Sequence, residues 1–86
     1  MKEFTYTITD ALGIHARPAG LLAKKAKSYA DTTVTISANG KTVNCGQLMK
    51  LMALGVKQGT EVTITCEGAN EAEAAAGLQA FLEENL

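Results

Sequence analysis

The chain predicts an α+β fold, an open-faced two-layer sandwich in the order β-α-β-β-α-β-α, with a four-stranded antiparallel sheet and three helices on one face. Three observations carry this. Runs near residues 4, 34 and 62 alternate apolar residues with threonine at a period of two, so each strand has one dry and one wet face. Asn39-Gly40 is a tight-turn signal that folds one such run back on the next segment. The remaining ordered stretches switch to helical spacing and are enough to cover the apolar face alone.

Taken in order, Phe4, Tyr6 and Ile8 alternate with Thr5, Thr7 and Thr9 as the first strand, which ends near Thr9 at the turn Asp10-Ala11-Leu12-Gly13. Pro18 opens a helix running to about Ala30, since proline's missing N–H costs nothing at the first helical position. Ala19, Leu22, Ala23, Ala26 and Tyr29 fall on its core face, while Gly20, Lys24 and Lys27 share another. Val34, Ile36 and Ala38 alternate with Thr33, Thr35 and Ser37 as the second strand, and Lys41 to Asn44 pairs back as the third. Gln47 to Leu54 is a short helix stopped by Gly55. Val62, Ile64 and Cys66 alternate with Glu61, Thr63 and Thr65 as the fourth strand. Asn70 and Glu73 form a capping-box pattern for a last helix reaching about Glu84.

Eighty-six residues leave room for one core, so residues 1–86 are expected to be one domain. No apolar run is long enough to insert in a membrane, and the opening Met-Lys-Glu-Phe-Thr-Tyr lacks the apolar stretch of a secretion signal, so a cytoplasmic location is expected. Cys45 and Cys66 have no Cys-x-x-Cys spacing or nearby His partner, which points to two reduced, packed thiols and no metal site. The net charge of −1 hides a lopsided distribution. Between Ala11 and Lys57 the charges are Arg17, Lys24, Lys25, Lys27, Lys41, Lys50 and Lys57 against Asp31 alone. From Gln58 onward all charged residues are glutamates. The basic half would steer acidic or phosphorylated partners. A near-neutral chain with few aromatics does not suit nucleic acid, and the outward positions of the sheet are threonines rather than stacking aromatics.

The single histidine falls inside the basic half, in Gly13-Ile14-His15-Ala16-Arg17-Pro18. No Ser, Thr, Asn or Asp stands immediately before the helix to cap it, so its first N–H groups, with the helix dipole behind them, form an anion site. His15 is a nucleophile that can be neutral at physiological pH, and Arg17 is a permanent charge with a fork suited to phosphate. The combination is a place to put a phosphoryl group on a histidine. A lone histidine near a helix start is otherwise an exposed or capping residue.

This motif, together with Asn39-Gly40-Lys41, the run Leu48-Met49-Lys50-Leu51-Met52-Ala53-Leu54-Gly55 and a closing acidic helix, resembles the HPr family, the histidine-containing phosphocarriers of the bacterial sugar phosphotransferase system, over essentially the whole chain. The resemblance implies the same open-faced sandwich and a carrier rather than an enzyme. Phospho-enzyme I would give its phosphoryl group to His15 Nδ1, and a sugar-specific enzyme IIA would take it on. It implies that Arg17 and the N–H groups of Ala16 and Arg17 hold the phosphoryl oxygens, that Pro18 shapes the helix start, and that no cofactor or metal is needed. In the second helix Leu51 and Leu54, with Leu48 in part, can face the core, while Met49 and Met52 lie on a flank. That helix is either fully buried or leaves a small apolar patch of adaptable Met side chains. The corresponding helix of HPr-like proteins docks partners beside the histidine. The implied docking surface is therefore Leu48, Met49, Lys50 and Met52 with Gly20, Lys24 and Lys27, forming a transient interface below roughly 1,200 Å² on an expected monomer.

Two departures stand out. In many HPr proteins the second helix begins with a kinase-regulated serine preceded by a lysine; here Gln47 and Gly46 occupy those positions. The segment between Tyr29 and Asn39 is one residue longer than usual, which a connecting loop can absorb. The alternatives are a specialised carrier for one pathway, such as one sugar system or a dihydroxyacetone kinase relay, or a regulatory binding module of the same shape. Modules of that kind lose the histidine and keep the serine, the reverse of this chain.

Overall fold

The structure, a computed structural model, describes residues 1–29 and 31–86. Its elements are β1 (Lys2–Thr7), α1 (Ala16–Lys27), β2 (Thr32–Ala38), β3 (Lys41–Asn44), α2 (Leu48–Ala53), β4 (Glu61–Gly68) and α3 (Glu71–Asn85). All pairings are antiparallel, in the spatial order β1-β4-β2-β3. Ile36 faces Val43 on one side and Ile64 on the other, and Ile64 faces Phe4, so one apolar row crosses the sheet. The fold class and element order are those expected.

The alternation decides the layers. Val34, Ile36, Ala38, Val62, Ile64 and Cys66 are buried beneath the helices. Thr5, Thr7 and Thr33 lie exposed on the open face, with Thr35, Thr63 and Thr65 half-buried beside them. The helices contribute Ala19, Leu22, Ala23 and Ala26 from α1, Leu51 from α2, and Ala74, Leu78 and Leu82 from α3. Each fully buried Leu or Ile stabilises the fold by about 1.5–3 kcal/mol. At the Asn39-Gly40 turn both residues have positive φ, 53° and 77°, the signature of a type I′ hairpin. Asn39 has a second job: its Nδ2 donates to the Leu54 carbonyl at 3.0 Å, tying the hairpin to the end of α2.

Three expectations are corrected. Helix α1 starts at Ala16, not Pro18, with His15 as N-cap. The first-turn N–H groups have no intrahelical acceptor, so proline fits at the third helical position as well as at the first. The helix also ends at Lys27, three residues short of the expected end. Ala30, where that end was placed, falls outside the described residues. The Asn70–Glu73 capping box does not form: the Asn70 side chain makes no capping bond, and its N–H donates to Thr32 Oγ1 at 3.0 Å. Glu71 performs the reach-back instead, its Oε1 accepting the Gly68 N–H at 3.2 Å. The amino terminus and that N–H hold the Glu71 carboxyl below its usual range.

Both thiols are free and fully buried. Val34 pairs with Cys66 on β4, and its carbonyl accepts the Cys45 N–H on the other side at 2.9 Å. The cysteines thus flank Val34 across two strand spacings, roughly 9–10 Å, beyond the reach of a disulfide. Burial, with a smaller effect of Cys66, pushes the Cys45 thiol up to about 12; burial raises Cys66 as well.

Candidate active site at the start of the first helix

The turn between β1 and α1 is held from three sides. Ile8 N–H donates to Thr60 O at 3.0 Å and Ile14 N–H to Val56 O at 3.2 Å. The carbonyl of Leu86, past the end of α3, accepts the N–H groups of Thr9 and Asp10 at 2.6 and 2.8 Å and the Thr9 hydroxyl at 2.9 Å. Gly13 has φ 67°, and a Cβ there would collide with the Val56 carbonyl, so the turn presses onto the α2–β4 connection as only glycine allows. The apolar Ile14 is buried next to it.

This anchoring delivers His15 at the N-cap, with φ −105° and ψ 180°. Its carbonyl accepts the Ala19 N–H at 2.9 Å, while its side chain makes no capping bond. The ring is half-exposed, 38% accessible, and Nε2 lies 3.8 Å from Asp10 Oδ1. Asp10, His15, Arg17, Pro18, Leu21 and Asn85 line an open cleft of about 230 Å³. Arg17 is exposed and, among the described residues, has no ion-pair partner. The N–H groups of Ala16 and Arg17 belong to the uncapped first turn. The arrangement puts a nucleophile, a free guanidinium and a helix N-terminus at one opening, which suits a transferable anion. Among the described residues no group of His, Cys, Asp and Glu could hold a metal ion.

Helices α1 and α2, which carry the sequence-derived docking residues, lie in contact. Leu51 and Leu54 are buried, whereas Leu48, Met49 and Met52 are 39%, 77% and 43% exposed. That decides for an apolar patch over a fully buried helix. Lys24, Lys27 and Lys50 are exposed and Gly20 is half-buried, with the Lys27 side chain close to Gly46 just before α2. Gln47 is the exposed N-cap of α2, and Gly46 is buried with its N–H held by Asn44 Oδ1 at 2.8 Å. Sequence reasoning passed over four residues here: Asp10 and Asn85 in the cleft, and the exposed Leu12 and Leu21. Leu21 was readable, because two adjacent leucines cannot both face the core of one helix. Asn85 was not, since only tertiary packing brings the end of α3 to this turn.

The family model described as PTS HPr component phosphorylation site matches residues 2–84. The chain belongs to the HPr family. It is 39% identical over 85 residues to the phosphocarrier protein HPr of Mycoplasma genitalium, covering 99% of this chain and 97% of that one. It is similar to the solved structure of a mycoplasma histidine-containing phosphocarrier protein, with a TM-score of 0.92, 37% identity, and 96% and 93% of the two chains covered. It is also similar to Crh, the catabolite repression protein of Bacillus subtilis, solved as a swapped dimer, with a TM-score of 0.77, 36% identity, and 94% and 92% covered. The chain is thus a carrier of the HPr type rather than a catalyst in its own right. Among the described residues no helix is long and apolar enough to cross a membrane.

Proposed function

We propose that this HPr-family chain takes a phosphoryl group from phospho-enzyme I onto His15 and passes it to a sugar-specific enzyme IIA, in support of sugar uptake. The observation that carries the reading is the half-exposed, uncapping imidazole of His15 at the mouth of a cleft that Arg17 also lines, over an uncapped helix start. The neutral ring attacks phosphorus in line, and the bond to the donor breaks as the new bond forms. Phosphoryl transfer needs positioning and charge stabilisation more than covalent machinery. The Arg17 fork and the N–H groups of Ala16 and Arg17 supply both, and Pro18 stiffens the first turn without competing for acceptors. The chain works as a one-domain cytoplasmic monomer.

Docking uses Leu48, Met49 and Met52 as an adaptable apolar centre, with Lys24, Lys27 and Lys50 around it and Gly20 offering no side chain to obstruct contact. Gln47, at the position of the regulated serine, cannot be phosphorylated, so the chain escapes serine-kinase control there. That one residue favours a second reading, a specialised carrier serving a single pathway. Arg17→Ala tests the site: rapid-quench transfer from phospho-enzyme I slows by roughly tenfold or more while His15 still accepts the group. Unchanged kinetics would remove Arg17 from the mechanism.

A further inference from the structure

Among the described residues Asp10 is the one acid lining the His15 cleft, and the fold commits it there. Its N–H donates to Leu86 O at 2.8 Å, its carbonyl accepts the Gly13 N–H at 3.0 Å, and its Oδ1 accepts the Leu12 N–H at 2.8 Å. Backbone and side chain are both tied, so the carboxylate is presented to the ring in one orientation, with Oδ1 3.8 Å from His15 Nε2. That distance is too long for a hydrogen bond and acts through the field of the charge.

Resting on the phosphocarrier reading above, we propose that Asp10 is a positioning residue that keeps the proton of the His15 ring on Nε2 and so presents Nδ1 as the nucleophilic nitrogen. A neutral imidazole has one protonated and one unprotonated nitrogen, and a carboxylate beside Nε2 favours the tautomer with hydrogen there. The Nδ1 lone pair then forms the P–N bond while the donor takes back the electron pair of the bond that breaks. Nε2 keeps its proton throughout, and the ring becomes a cation. Asp10 opposes that new charge. A phosphoryl group on Nε2, by contrast, would set an anion against the carboxylate. Asp10 thus sets both the nitrogen that reacts and part of the charge balance of the product. Arg17, on the same cleft, serves the phosphoryl oxygens, so the two charges divide the work.

The test is Asp10→Asn in the full chain. The amide oxygen can still accept the Leu12 N–H, so the turn is retained and the charge is lost. Nitrogen-15 NMR of the unphosphorylated ring at about pH 8 reads the tautomers directly. The wild type is expected to hold mainly Nε2–H, and the ratio of Nε2–H to Nδ1–H to fall by about threefold or more in the variant; acceptance from phospho-enzyme I slows by about twofold or more, through the smaller reactive fraction together with the lost counter-charge on the ring cation. An unchanged ratio, or an unchanged rate, overturns the proposal. So does a wild-type ring that carries its proton mainly on Nδ1, a result that needs no variant and stands even if Asp10→Asn unfolds. Wild-type protein that accepts no phosphoryl group on His15 would sink the carrier reading instead, and leaves the ring measurement to judge Asp10 separately.

Discussion

His15 occupies an N-cap without using its side chain as a cap, so the helix start does not depend on the ring. Its backbone carbonyl, which holds the Ala19 N–H, survives any substitution. The uncapped start itself was readable in the chain, because no Ser, Thr, Asn or Asp stands immediately before the helix. The exact start was not, since proline is tolerated anywhere in the first turn and only the tertiary anchoring of Asp10 to Gly13 places the cap. At the same scale, Cys45 makes a pH-dependent contribution. Its thiol, at about 12 in the fold against 9.0 when free, keeps its proton longer in the native state than in the unfolded one. The associated stability is whole below pH 9, the free value, and is lost as pH rises toward about 12. Between about pH 8 and 10 the wild type is expected to lose about 1.4 kcal/mol more in urea unfolding than Cys45→Ala. Parallel losses in the two proteins would show that Cys45 does not titrate this way.

At the scale of elements, the alternating threonines and the Asn39-Gly40 turn made the sheet legible, and the structure differs from it mainly at ends. The capping box failed for a physical reason: Thr32 offers the Asn70 N–H an acceptor from the neighbouring strand, and Glu71 is better placed than Glu73 to reach back. Such competition between local and long-range acceptors cannot be read from spacing. The packing of α3 has a similar hidden constraint, because a Cβ on Gly77 would strike the hydroxyl of Tyr29, just past the end of α1. Gly13 is the element-scale position on which the site depends. Gly13→Ala must adopt φ 67° and displace the Val56 backbone, and is expected to cost about 2–4 kcal/mol. Calorimetry checks it; a melting temperature within a degree or two of wild type would mean that this junction can move aside.

Across the whole molecule, charge and exposed apolar surface meet on one side. Helix α2 exposes its apolar patch in contact with α1, whose Lys27 lies close to Gly46, while six of the seven glutamates gather in the last third of the sequence. The polarity was legible in the chain, but the choice between a buried and an exposed α2 needed the packing of Leu51 and Leu54 to settle it. An encounter steered by that field weakens with salt, and a docking surface centred on Met49 should be disrupted by a charge there. Met49→Glu is expected to lower the affinity for enzyme I roughly tenfold or more, by titration calorimetry, with little change in melting temperature because Met49 is 77% exposed. Equal affinity would move the docking surface elsewhere.

Intact mass spectrometry reads whether His15 carries a phosphoryl group. The protein is incubated with phosphoenolpyruvate, magnesium and enzyme I, beside a folded His15→Ala control. The wild type is expected to gain one acid-labile phosphoryl group and the variant none. No gain in the wild type across a broad set of enzyme I proteins, or the same gain in His15→Ala, would contradict phosphoryl carriage by His15.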